Sequence, residues 1–301
     1  KGNTMENFVL SCCSTADLSK EHFERRDISY ICFHFTLNGV VYEDDLGQTI
    51  PFDKFYQALS EGGEASTSQI NISEYLAYFS GFLEQGKDIL HVSLSSGISG
   101  SFSAARSAAS IARERYPGRR IYLVDSYGAS SGYGLLVDKM ADLRDGGMDI
   151  DSLYQWVLDH RFEMHYWFFS TDLSFYVKGG RISKAAGLFG GMLGICPLLH
   201  MDGEGKLVPV AKIRSKKRVI HEIVDRMEEY ASGSTDYSGK CYMSHSACYE
   251  DARKVADLVE ERFKKMDGTV LINNVGTTIG SHTGPGTVAL FFWGSSRAAG
   301  K

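Results

Sequence analysis

The run DILHVSLSSGISGSFSAARSAASIAR, from Asp88 to Arg113, decides the fold. Ile89, Leu90, Val92 and Leu94 spell a short buried strand, and Ser95-Ser96-Gly97-Ile98-Ser99-Gly100-Ser101 breaks it sharply. From Phe102 onward, Ala104, Ala105, Ala108, Ala109, Ile111 and Ala112 supply helix propensity and a small apolar face. A strand, a hydroxyl-rich loop and a helix in succession place unpaired N–H groups and partial positive charge at a helix N-terminus, which favours an anion. A carboxylate or phosphate seat is one reading; a plain tight turn built from small residues is the other. No Lys follows the last glycine, as a P-loop requires, and Gly97-x-Ser99-x-Ser101 lacks the closing glycine of a nucleophile elbow. The loop alone names no function.

Outward from this unit, strands and helices alternate. Phe8 to Cys13 reads as a buried strand, Ser14-Thr15-Ala16-Asp17 as caps for a helix from Leu18, and Ile28 to Phe35 as a second strand. Asn38-Gly39 signals a hairpin into Val40-Val41-Tyr42, and Pro51 opens a helix. Ala65 to Gln69 reads as a second hydroxyl-rich loop before a helix carrying Tyr75, Leu76, Phe79 and Leu83 on one face. A strand from Arg120 to Val124 and a helix through Leu135 and Met140 continue the pattern of an α/β domain with a largely parallel sheet.

The rhythm changes after a helix over 150–163. An aromatic strand at His165 to Phe169 leads to a hairpin, Cys196 to Met201 and Leu207 to Ile213 around Asp202-Gly203. Helices over about 216–231 and 249–265 alternate with strands near 240–245, 269–275 and 287–293. We read two domains: residues 1–160, α/β, and residues 161–301, α+β with a mixed or antiparallel sheet.

Composition narrows the function classes. With 32 basic and 37 acidic residues, net −5, the chain has no electrostatic footprint for nucleic acid. Six cysteines form no Cys-x-x-Cys pair and no metal-ligand spacing with His, which points to free thiols in a reducing, cytoplasmic compartment. No secretory leader pattern is read at the start. The longest apolar stretch, Ala185 to Leu199, carries four glycines and Pro197 and is shorter than the roughly 18 residues of a membrane span, so no stable membrane insertion is expected.

Two loops and the segment between them stand out besides Ser95 to Ser101. Lys178-Gly179-Gly180-Arg181-Ile182-Ser183 sets two cations around a glycine hinge, and Gly280 to Thr287 sets His282 beside a rigid turn. Between them, Gly187, Gly190, Gly191 and Gly194 punctuate Leu188, Phe189, Met192 and Leu193, giving either close helix packing or room for a ligand chain.

Together with Ser14-Thr15-Ala16-Asp17, Thr67-Ser68-Gln69, Asp125-Ser126 and His282-x-Gly284-Pro285-Gly286, these strings make the chain resemble the DegV family of bacterial fatty-acid-binding proteins, the acyl-carrying subunits of fatty acid kinase. The resemblance implies two α/β domains with one long-chain fatty acid between them, its tail in a hydrophobic tunnel and its carboxylate at the domain junction. It assigns the carboxylate to Thr67 and Ser96, with Ser95 an almost equal candidate and His282 nearby. Leu188, Phe189, Met192 and Leu193 fit a tunnel wall. The implied partner is a separate kinase that phosphorylates the bound carboxylate to an acyl phosphate for phospholipid synthesis, with Arg181 and Arg214 on the docking face. On this reading the chain is a carrier that needs no cofactor or metal, and catalysis lies in the kinase.

The sequence departs from the family pattern at Cys13, where Asp is usual, at Ile70, where Pro is usual, and at Ser101, where Thr is common. Two rivals remain from the residues themselves. A serine hydrolase would use Ser96 and His282 on a lipid ester and would need a carboxylate to orient the His. A nucleotide or phosphate-ester binder would use the serine–glycine loop, but lacks a dinucleotide fingerprint.

Overall fold

A computed structural model describes residues 8–187 and 193–298. In chain order its strands are β1 (Phe8–Cys13), β2 (Ser29–Ile31), β3 (His34–Leu37), β4 (Val40–Glu43), β5 (Ala65–Ser68), β6 (Asp88–Ser93), β7 (Ile121–Asp125), β8 (Met164–Ser170), β9 (Ile195–Met201), β10 (Leu207–Arg214), β11 (Tyr242–His245), β12 (Leu271–Asn274) and β13 (Thr287–Trp293). The first sheet runs β2-β1-β6-β7 with every neighbour parallel. Strands β1 and β6 are buried throughout, as expected where both faces are covered. The second sheet, β10-β9-β8-β13-β11-β12, is antiparallel except for the β11–β12 pair. The fold class expected from the sequence is thus present, a parallel N-terminal sheet and a mixed C-terminal one.

A third, small antiparallel sheet, β4-β3-β5, changes two local readings. Ile28 to Phe35 is not one strand: β2 joins the parallel sheet, β3 joins the small one, and the chain turns between them at Cys32 and Phe33. Phe33 fixes that turn, because its N–H donates to Ser14 Oγ at 3.1 Å and its carbonyl accepts from Asp44 N at 2.8 Å. Ala65 to Ser68 is not a loop but strand β5, paired along β3 from Leu37–Ala65 to His34–Ser68. Its serines and threonine gave no apolar alternation, yet the hairpin partner supplies the ladder.

The two large sheets share one core. Leu10, Val92 and Val124 from the first pack in the same cluster as Phe168, Leu199 and Phe291 from the second. The helix Ser130–Asp145 runs between them, and its glycines permit this: a Cβ at Gly132 would come within 2.5 Å of Phe291 Cδ1. The first sheet's strand ends, the small sheet and the helix Thr277–Thr283 converge on one space facing the second sheet.

Candidate functional site

That space is a cavity of about 270 Å³. Most of its wall is apolar, with Phe33, Leu94, Phe168, Met201, Leu207 and Phe291 contributing from all three sheets or their ends. Thr67, Gln69, Ser99, Gly100, Arg181 and His282 form a polar part of the wall, and Ser130, Ser244 and Thr278 add hydroxyl residues to it. A largely apolar cavity with a few polar groups is the form of a site for an amphipathic small molecule.

Thr67 and Gln69 stand two residues apart, so the extended chain turns both to the same side. His282 belongs to the helix Thr277–Thr283, which Gly284 ends with φ +61°. Thr67 Oγ1 lies 2.7 Å from His282 Nε2. His282 Nδ1 is buried, without a hydrogen-bond partner, against Gly179. Burial first, and then the nearby Arg181 charge, push the imidazole pKa down to about 4, so the ring is neutral at pH 7. Its one proton belongs on Nε2, since Nδ1 has no acceptor while Nε2 has Thr67 Oγ1. His282 therefore donates to Thr67, and the threonine hydroxyl proton is left to point at a ligand.

Ser99 Oγ accepts from Ser101 N at 3.1 Å, so its own proton is likewise available to a ligand. The helix Ser101–Arg115 starts here with no side-chain cap on Gly100, which leaves first-turn N–H groups beside the cavity. Gly100 lets Gln69 Oε1 approach the loop backbone, where a Cβ would displace it. Arg181 crosses the polar part: Nε donates to Ile98 O at 3.1 Å and its guanidinium to Gly179 O at 2.7 Å. Burial lowers its pKa, but a guanidinium stays charged. Two hydroxyl donors, helix N–H groups and one guanidinium make a seat for a carboxylate.

The structure brings Thr67 and His282 together and leaves both predicted serines elsewhere. Ser95 is buried away from the cavity, where its hydroxyl donates to Gly205 O at 2.8 Å and binds the hairpin turn between β9 and β10. Ser96 is exposed, with its N–H on Asp125 Oδ1 at 3.2 Å. The loop's cavity hydroxyl is Ser99. The signal was in the sequence: the helix starts at Ser101, and Ser99 is nearer its N-terminus than Ser95 or Ser96. Leu188, Phe189 and Met192 lie outside the described residues, and Leu193 is fully exposed and absent from the cavity wall. Among the described residues, the wall comes from strands, strand ends and the helix Thr277–Thr283. Arg181 lines the cavity, whereas Arg214, at the end of β10, is exposed and apart from it.

The model of the DegV family, described as uncharacterised, matches residues 13–294. The chain belongs to the DegV family. A DegV domain-containing protein of Clostridium perfringens is 32% identical over 293 residues, 97% of this chain and 99% of that one. Among solved structures, DegV of Bacillus subtilis, described as a fatty acid binding protein, is 25% identical with a TM-score of 0.80, covering 96% of this chain and 100% of that one. The B3 protein of Streptococcus pneumoniae fatty acid kinase, loaded with linoleic acid, has a TM-score of 0.83 at 20% identity over the same shares. DegV relatives of this fold therefore include fatty acid binders and a fatty acid kinase protein. Among the described residues, no helix is long and apolar enough to cross a membrane, and no group of three or more His, Cys, Asp or Glu side chains is placed to hold a metal ion.

Proposed function

We propose that this chain binds one long-chain fatty acid and presents it to a separate kinase for phosphorylation to an acyl phosphate used in phospholipid synthesis. The observation that carries the reading is the largely apolar cavity with the polar group of Thr67, Ser99, Arg181 and His282 in its wall. The fatty acid relatives support it. Burying each methylene contributes roughly 0.8 kcal/mol, so the tail supplies affinity and the polar group supplies orientation. The chain is a carrier of the cytoplasm rather than a catalyst, with residues 1–160 and 161–301 as the two halves that enclose the ligand. Arg214, exposed on the second half, belongs to the kinase-facing surface.

The hydrolase alternative finds no support in the geometry. Ser96 is not in the cavity that His282 lines, and no carboxylate orients His282, whose Nδ1 is unpartnered.

Mass spectrometry of the purified protein under native and denaturing conditions tests the carrier reading. One fatty acid per chain is expected, and phosphorylation of that acid by a bacterial fatty acid kinase with ATP tests presentation. A protein that is empty and takes up no added fatty acid would overturn the proposal.

A further inference from the structure

Two aspartates lie beneath the cavity floor. Asp17 follows the helical turn after β1 and Asp44 follows β4, yet both reach Gly276, the residue before the helix that bears His282. A Cβ at Gly276 would run into Asp17 Oδ1 and lie 3.6 Å from Asp44 Oδ2, so the carboxyls converge on one backbone position. Asp17 is 5% exposed and Asp44 1%. Asp17 Oδ2 accepts from Ser130 Oγ at 2.6 Å. Asp44 Oδ2 accepts from the Thr278 hydroxyl at 2.7 Å and from Thr278 N–H at 3.3 Å. The other oxygen of each is sealed from solvent and has no hydrogen-bond partner. The described residues place no Lys, Arg or His in hydrogen-bonding contact with either carboxyl.

Two carboxylates taken out of water close together, with only hydroxyls and amides as partners, cannot both be ionised. We propose that this pair holds one proton at neutral pH, carried by Asp17, while Asp44 remains a carboxylate. Asp44 keeps the charge because two donors, one of them a backbone N–H, meet on a single oxygen. Asp17 receives one side-chain hydroxyl. Burial raises both acids, and for Asp17 the neighbouring Asp44 charge adds to it.

The other titratable groups around the pair supply no positive charge. Tyr56, from the helix Phe52–Ser60, and Tyr30, from β2, are held neutral by burial, and Cys32 is pushed up to about 12. Glu43 and Asp45 flank Asp44 on its own segment. The pair is thus a pin that carries one negative charge instead of two. Ser130 and Thr278 hold its two members, and Ser244 Oγ, 2.9 Å from Ser130 Oγ, extends it to the second sheet. All three of these residues also line the cavity. The inference holds whatever ligand fills that cavity.

The pH sign follows. An unfolded Asp titrates near about 3.9, while the folded pair holds its proton to higher pH. Its stabilisation is complete below the unfolded value and is lost as pH rises toward the folded one. The test is carboxyl-carbon NMR of protein labelled with 13C-aspartate, titrated from acid to alkaline pH, for wild type and Asp17→Asn. Expected is one aspartate resonance still at the protonated shift at pH 7 in wild type and missing from the variant. The variant's Tm should also fall less than that of wild type on the alkaline side. A wild type with every aspartate ionised at pH 7 would overturn the proposal, as would a protonated resonance that persists in Asp17→Asn. If that variant fails to fold, Ser130→Ala decides the assignment: removing a donor that favours the ionised form should raise the midpoint of the resonance, and a lowered midpoint refutes it.

Discussion

The helix Ser130–Asp145 touches two buried aspartate sites, and they have opposite electrostatics. Asp138, within the helix, is ringed by two cations and an imidazole: Arg26 at 2.9 Å, Lys240 Nζ at 2.8 Å and His22 Nε2 at 2.8 Å. Burial alone would raise it, yet the hydrogen bonds from His22 and Lys240 and the charges of Lys240 and Arg26 hold its carboxyl well below the usual range. Asp17, bonded to the first residue of the same helix, has no such partner and is pushed up. Depth is similar at the two sites, so partners and not burial set the charge. Each site also ties the two halves together, through Lys240 in one case and Ser244 in the other.

The largest expected effect breaks the charged site. Asp138→Ala removes the buried anion that Arg26 and Lys240 share, leaving them only the more exposed Asp142 between them, and should cost about 3 kcal/mol in urea unfolding. A loss below about 1 kcal/mol would mean that solvent already screens the cluster. Next, the two sites should govern opposite limbs of the stability profile. Asp138, with a depressed folded pKa, stabilises above about pH 4 and loses that contribution as pH falls. Asp138→Asn should therefore flatten the acid limb of Tm against pH and leave the alkaline limb to the Asp17 pair. If both limbs changed equally, the contrast would fail.

Smaller changes sharpen it. Lys240→Met removes one of the two cations, Arg26 and Lys240, from Asp138 and should cost about 2 kcal/mol, whereas Ser244→Ala removes one neutral hydrogen bond and should cost about 1 kcal/mol. Equal losses would show that charge adds nothing at the junction. The smallest effect concerns ligand rather than fold. Ser99→Ala, in the polar part of the cavity wall, should weaken fatty acid binding about fivefold, the loss of one hydrogen bond of about 1 kcal/mol, with Ser96→Ala unchanged. The reverse ranking in a competition assay would return the head group to Ser96.

Most of the strand and helix order was legible, because buried strands such as β6 and the alanine-faced helix after it announce themselves by pattern. β13 was legible to the residue. The small sheet was not, since β5 contains Ser66, Thr67 and Ser68 and owes its conformation to β3. The helix Thr277–Thr283 was also hidden: two glycines flank it, and threonine and glycine lower its propensity, so tertiary contact with the small sheet decides it. At the candidate site, Thr67 and His282 were legible through motif strings, Arg181 was read as a docking residue yet lines the cavity, and Ser99 was passed over for its neighbours. Of the expected tunnel wall only Leu193 is among the described residues, and it is exposed, because small-residue punctuation says that something packs closely without saying what. The described wall uses single residues from many elements, a set with no sequence period.

The Thr67–His282 hydrogen bond spans 215 positions of chain. Contacts this distant in sequence form slowly, and a chain made from its N-terminus cannot form this one until His282 has left the ribosome. Phe33, Leu94 and Phe168 must wait for Ala289 and Phe291 to complete the wall that they share. The growing chain therefore exposes this apolar surface through most of its synthesis, and whatever fills the cavity can be enclosed only once β13 has emerged.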